Sequence, residues 1–118
     1  MSITNHVQLI GRLGSNPKFI TTDQTQKILT VSIATNDHFK DSKGVKQTRT
    51  EWHNLIAFNG LADILNEHCK KGSFLLVIGK LQTRQYIDKK QVSRYVTEIV
   101  LEKIQMLGDK QQSQNAEN

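Results

Sequence analysis

Four ring-bearing side chains, Phe39, Trp52, Phe58 and Tyr86, are interleaved along the chain with Arg12, Lys43, Arg49, Asn54, Lys71 and Arg84. A flat π face stacks on any other flat unsaturated ring, at roughly 1–3 kcal/mol per stacked ring, and does so without regard to the substituents. Fixed guanidinium and ammonium groups attract phosphates. The alternation of the two types suits a ligand that repeats a planar ring and an anionic group. Trp52 anchors the pattern within residues 50–58, Thr-Glu-Trp-His-Asn-Leu-Ile-Ala-Phe. On a strand, successive side chains point to opposite sides, so Trp52, Asn54, Ile56 and Phe58 share one face and Glu51, His53, Leu55 and Ala57 the other. Two arrangements satisfy that pattern. Either Leu55 and Ala57 pack inward and the rings form an outward platform, or Trp52 and Phe58 are themselves the core.

Other chemistries find less support. Glu51 and His53, about 7 Å apart on one strand face, are the one pair suited to acid–base work. No nucleophile, metal-ligand spacing or phosphate-cradling glycine loop accompanies them. The chain is therefore not expected to be an enzyme, and neither cofactor nor metal is expected. His68 and Cys69 are neighbours on a helix, diverge by about 100°, and read as packing rather than as a ligand pair. The formal charge of +5 and a pI near 9.5 favour a polyanionic partner. A single cysteine excludes an internal disulfide framework. The polar start and the lack of an apolar run of about 20 residues argue against a secretory leader or a membrane span, so a cytoplasmic location is expected.

These residues must be positioned by a compact set of elements. A length of 118 residues suits one domain. Ile3, Val7, Leu9 and Leu13 alternate with polar residues as a half-buried strand does, and Gly11 marks a bulge or bend. After Pro17, residues 18–22 resume as a short extended segment. Residues 27–36 form the next strand, with Leu29, Val31 and Ile33 in its apolar row. Residues 37–49 read as a long basic hairpin tip with Phe39 at its root. Residues 59–71 switch to helical spacing, with Leu61, Ile64, Leu65, His68 and Cys69 on one stripe, Asn59 as N-cap and Gly72 as the left-handed stop. Residues 74–81 are a continuous apolar strand with a curl at Gly79, extended by Gln82, Arg84 and Tyr86 on one face. A final strand alternates Tyr95, Thr97, Ile99 and Leu101 with Arg94, Val96, Glu98 and Val100. Past residue 107 the composition becomes Gln, Asn and Ser, which predicts a disordered polar tail over residues 108–118.

The order strand, strand, strand, helix, strand, strand, with glycines where sheets bend, predicts an all-β protein with one short helix. The expected architecture is a five-stranded Greek-key barrel of the OB type, with the helix between the third and fourth strands, over residues 1–107.

The chain resembles the bacterial-type single-stranded DNA-binding proteins. The resemblance rests on Asn5-His6-Val7-Gln8-Leu9-Ile10-Gly11-Arg12-Leu13-Gly14 with Pro17, on Thr50-Glu51-Trp52-His53-Asn54 running into Phe58, and on Lys71-Gly72-Ser73. It continues through Gly79-Lys80-Leu81-Gln82-Thr83-Arg84, Tyr95-Val96-Thr97-Glu98 and Met106-Leu107. It implies an OB-fold homotetramer, associated with the nucleoid, that binds and protects single-stranded DNA without sequence readout during replication, recombination and repair. It further implies base stacking on Phe39, Trp52, Phe58 and Tyr86, and a place for His53 at the oligomer interface. Two of the four rings are not the tryptophan usual in the family, so weaker stacking is expected there. Asn59-Gly60 stands where the family commonly has Gly-Lys, removing one phosphate contact. The family typically ends in an acidic tip through which partner enzymes are recruited. This chain ends Asn-Ala-Glu-Asn, so recruitment through such a tip is not expected. Two neighbouring readings are an OB primosome accessory protein acting as an adaptor and an RNA-binding OB module. The Trp52-His53 strand and the residues 79–84 run favour the first-named family over the adaptor. The preference for DNA over RNA comes from the resemblance alone.

Overall fold

The computed structural model describes residues 3–22 and 25–108. Its elements are β1 (Val7–Leu13), β2 (Lys18–Thr22), β3 (Lys27–Lys40), β4 (Lys46–Phe58), α1 (Gly60–His68), β5 (Phe74–Ile87) and β6 (Ser93–Met106). The strands pair in the order β1-β5-β6-β4-β3-β2, and β1 also pairs β3. That additional pairing, Arg12 with Ala34 and Leu13 with Ile33, closes a five-membered ring of strands. Past Leu13, β2 continues along β3, with Lys18 opposite Thr30. β1 and β2 thus act as one strand interrupted around Pro17, whose missing N–H cannot serve the ladder. The fold is the five-stranded barrel with one short helix expected of the sequence, the helix following β4.

The core face carries Leu13, Leu29, Ile33, Leu55, Ala57, Leu75, Val77, Ile99 and Leu101, all buried. β4 is thereby resolved: Leu55 and Ala57 point inward and Trp52 lies 62% exposed. Two glycines permit closure. A Cβ on Gly11 would stand 2.1 Å from the Ala34 carbonyl oxygen, and one on Gly79 2.2 Å from that of Val100, so any side chain would push the neighbouring strand away. At Gly79 the β5–β6 register also shifts, the bulge expected of a curling sheet. Gly11 shows no such shift against β5, and its role is the close approach itself.

Several local expectations are corrected. Ile3 is 98% exposed and lies outside β1, whose pairing with β5 begins only at Val7, opposite Gly79. The basic segment 37–49 is mostly strand: β3 and β4 pair without interruption from Ile28 with Phe58 to Lys40 with Lys46, leaving a turn only at residues 41–45. α1 ends at His68, and Cys69 is extended, so Lys70 and Lys71 lie beyond the helix. Its stripe is centred on Ala62, Leu65 and Cys69, while Ile64 and His68 are exposed. At about 100° per residue these two lie to one side of Leu65, and the small Ala62 lets the helix approach on the other. Asn59 adopts φ 52° and makes no side-chain cap. Its Oδ1 instead accepts the Lys27 N–H at 2.9 Å, and its own N–H donates to the Lys27 carbonyl, tying the helix start to β3. Gly72 is left-handed, φ 93°, but within the later turn that leads into β5. The polar tail expected over residues 108–118 lies, but for Gly108, outside the described residues.

The β3–β4 and β5–β6 pairs run well past the barrel as two hairpin arms. The radius of gyration is 16.4 Å, against about 13 Å for a compact chain of this length.

Candidate nucleic-acid interface

β3 and β4 pair without a bulge, so face assignments hold along their whole length. Trp52 and Ala34, Asn54 and Ser32, and Ile56 and Thr30 are opposite pairs on the outer face. The small partners leave space over β3, and the indole occupies part of it. A Cβ on Gly14 would lie 2.1 Å from the Trp52 ring, so the absence of a side chain at Gly14 is what lets the indole lie flat there. Beside it runs a groove of about 440 Å³, lined among others by Asn16, Lys18, Ser32, Asn54, Arg84 and Glu98. A smaller hollow of about 210 Å³, bounded by Trp52, Asn54, Thr97 and Glu98, joins the indole to that groove.

Polar side chains share the groove with Val31, Leu55 and Val96, and its charges are paired unequally. Glu98 is 4% exposed and takes the Arg84 Nε–H with both carboxylate oxygens, at 3.0 and 3.1 Å. Arg84 in turn lies 5.9 Å from the centre of the Tyr86 ring. Tyr86, Arg84 and Glu98 share one face of the β5–β6 arm, since Arg84 stands opposite Val96 and Tyr86 opposite Arg94. At the other end, the Lys71 N–H donates to Asn16 Oδ1 at 2.8 Å, which brings Lys71 to the groove's rim. Arg12 is drawn the same way: its Nη1 donates to the Gly72 carbonyl at 3.0 Å and its guanidinium lies 4.8 Å from the Phe74 ring.

The sequence-predicted residues are therefore not one continuous patch. Trp52, Asn54 and Arg84 meet at the groove, with Lys71 at its rim. Phe58 lies further along the same face of β4, half-buried opposite Ile28. Phe39 has the strand parity of Ile33 and so belongs to the other face, on the β3–β4 arm, where Arg49 stacks 5.4 Å from its ring. Lys43 sits in the exposed turn of that arm, its N–H held by Asp41 Oδ1 at 2.8 Å. His53 is half-buried on the core side of β4, 3.1 Å from Thr35 Oγ1 through Nε2. Glu98, Lys18 and Asn16 were missed by sequence reasoning. Glu98 alternates with Ile99 and reads as a solvated acid, and only the β5–β6 register reveals Arg84 as its partner. Among the described residues no group of three or more His, Cys, Asp or Glu converges to hold a metal ion. Among them, too, no helix is long and apolar enough to cross a membrane.

Comparison with known proteins finds relatives that span the barrel. The single-strand binding protein family model covers residues 4–107. A "Single-stranded DNA-binding protein 1" of Xylella fastidiosa is 43% identical, the match covering 100% of this chain and 88% of that protein. One of the same name from Chlorobaculum tepidum is 45% identical over 107 residues, 90% of this chain and 66% of the relative. Among solved structures, a Plasmodium falciparum SSB in complex with ssDNA superposes with a TM-score of 0.78 at 27% identity, covering 92% of this chain and 98% of that one. A deletion mutant of the Thermus aquaticus single-stranded DNA binding protein gives 0.77 at 25% identity, over 90% of this chain and 51% of that one. With the barrel, the exposed indole and a family match running from residue 4 to residue 107, this chain belongs to the single-strand binding protein family.

Proposed function

We propose that the chain binds single-stranded DNA with little regard to sequence, stacking bases on Phe39, Trp52, Phe58 and Tyr86 and meeting phosphates with Arg12, Lys43, Arg49 and Lys71, while Asn54 and Arg84 supply polar contacts. The observation that carries this is Trp52: an indole 62% exposed beside a polar groove has no role in the core and a large π face to offer. Phe39 and Tyr86 each have an arginine within cation–π range of the ring. A base would stack on the opposite side, giving an arginine–ring–base sandwich. Such contacts protect unpaired strands of the kind exposed in replication, recombination and repair. Assembly as a homotetramer, with His53 near an interface between copies, belongs to the same reading, and sedimentation of the free protein tests it.

Titration with oligo-dT is the decisive experiment. Trp52 fluorescence falls on saturation, and log affinity drops with log salt by about 0.7 for each phosphate contact. An unchanged emission at saturation would remove Trp52 from the interface. Duplex DNA of equal length, whose base faces are buried in its own stack, competes poorly.

A further inference from the structure

We propose that Asn59-Gly60 is a self-modification site: the fold holds Asn59 in the backbone geometry of a cyclic imide, so the native chain converts this asparagine to aspartate and isoaspartate with water as the only co-reactant. This goes beyond the DNA-binding reading and does not depend on it. Asn59 is the one asparagine of the sequence that a glycine follows. Its backbone is unusual for a residue with a side chain, at φ 52° and ψ −114°. Three hydrogen bonds hold it there. The Asn59 N–H donates to the Lys27 carbonyl at 2.9 Å, the Lys27 N–H donates to Asn59 Oδ1 at 2.9 Å, and the Asp63 N–H donates to the Asn59 carbonyl at 3.0 Å.

That backbone is the one ring closure needs. The five-membered imide joins Asn59 Cγ to the Gly60 nitrogen, which requires Cβ and that nitrogen to eclipse about the Cα–C bond. Tetrahedral carbon sets Cβ about 120° from the residue's own nitrogen around that bond, so at ψ −114° the eclipse is all but complete. A helical or strand backbone, with ψ near about −42° or about +135°, holds the two atoms apart. Lys27 helps from the other side. As the Gly60 nitrogen attacks Cγ, negative charge builds on Oδ1, where the Lys27 N–H already points. The Gly60 nitrogen supplies the electron pair of the new bond and gives its proton to solvent. The Cγ–Nδ2 bond then breaks, and Nδ2 leaves as ammonia after taking a proton from solvent. Water next opens one of the two imide carbonyls, giving aspartate or an isoaspartyl link in which the main chain runs through Cγ. Asn59 and Gly60 are both exposed, so water reaches the ring. The isoaspartyl form lengthens the main chain by one carbon where α1 is tied to β3, and the carbonyl that receives the Asp63 N–H no longer belongs to it.

Ageing the intact chain at physiological temperature, once natively and once in denaturant, tests this when followed by a peptide map that separates asparagine, aspartate and isoaspartate at residue 59. Fixing one residue's backbone in the reactive conformation raises the rate roughly 5- to 30-fold. Asn59 is therefore lost that much faster in the native chain than in the unfolded one, and both acidic products form. Gly60→Ala keeps the fold, since its Cβ meets no described atom within 4 Å, but its methyl hinders the attacking nitrogen and slows the native loss. The aged chain, unlike aged Gly60→Ala, shows a lower melting temperature and faster amide exchange at Lys27. A loss that is equal in the two states, or faster in denaturant, overturns the proposal, because the dipeptide rather than the fold would then set the rate. An unslowed Gly60→Ala does the same. So does aspartate formed without isoaspartate, the mark of direct hydrolysis with no ring.

Discussion

Trp52 owes its position to what its neighbours lack. Gly14 has no Cβ to lift the ring, and Ala34 and Ser32 opposite β4 are too small to cover it. Because the indole is mostly outside the core, Trp52→Ala weakens oligo-dT binding by about 1–3 kcal/mol while the melting temperature stays nearly constant. A parallel loss of both would mean the ring is a packing residue. Gly14→Ala separates the two roles from the other side: the added methyl collides with the indole, so binding and Trp52 emission change although no ring has been removed. Cys69 behaves in the opposite way. Burial at 8% exposure raises its thiol above the ordinary cysteine range, so the reactive thiolate is scarce at neutral pH. A thiol reagent is expected to label it only under conditions that unfold the chain, and rapid labelling of the native protein would contradict that.

The two hairpin arms end in the same device, and their turns, Asp41-Ser42-Lys43-Gly44-Val45 and Asp88-Lys89-Lys90-Gln91-Val92, share three of five residues. Asp41 accepts the N–H groups of Lys43 and Val45 and the Gln47 side chain. Asp88 likewise accepts those of Lys90 and Val92 and the Arg94 side chain. Gly44 and Gln91 occupy equivalent left-handed positions, φ 79° and 64°. Glycine adopts that conformation freely and glutamine does not. Gln91→Gly therefore stabilises the β5–β6 tip by up to about 1 kcal/mol, read from the melting temperature or from hydrogen exchange at the arm. The backbone N–H of Val45 and that of Val92 are the main reason both carboxyls sit below the usual aspartate range. A depressed carboxyl favours the folded turn when ionised. The turns are accordingly held above about pH 4, the unfolded aspartate value, and loosen as pH falls through their lower folded values. Amide exchange at residues 41–45 and 88–92 followed from neutral to acid pH should show protection lost first in that window. Protection unchanged down to strongly acid pH would mean the carboxyls are not what holds the tips.

At the scale of the whole molecule, the barrel is closed by the β1–β3 pairing and filled by one cluster to which α1 contributes Ala62, Leu65 and Cys69. Leu65 is fully buried, so Leu65→Ala costs about 2–5 kcal/mol in denaturant unfolding and affects oligonucleotide affinity only through the folded fraction. Much of this architecture is legible in the chain itself. Period-two alternation over residues 27–36 and 94–101, the switch to helical spacing after Asn59, and glycines at 11 and 79 are local signals, because each reports how neighbouring side chains divide between water and core. The same alternation does not say which face is inside: residues 50–58 fit both answers until β3, β6 and α1 are placed against Leu55 and Ala57. Neither can local pattern reveal that Phe39 and Trp52 lie on opposite faces of the β3–β4 ribbon, that Asn59 spends its amide on Lys27, or that Glu98 is buried beneath Arg84. Sequence alone determined the composition of the binding chemistry and the succession of elements, since both follow from residue type and short-range spacing. Tertiary structure decided which rings face outward and which charges cancel, since these depend on contacts between residues far apart in the chain.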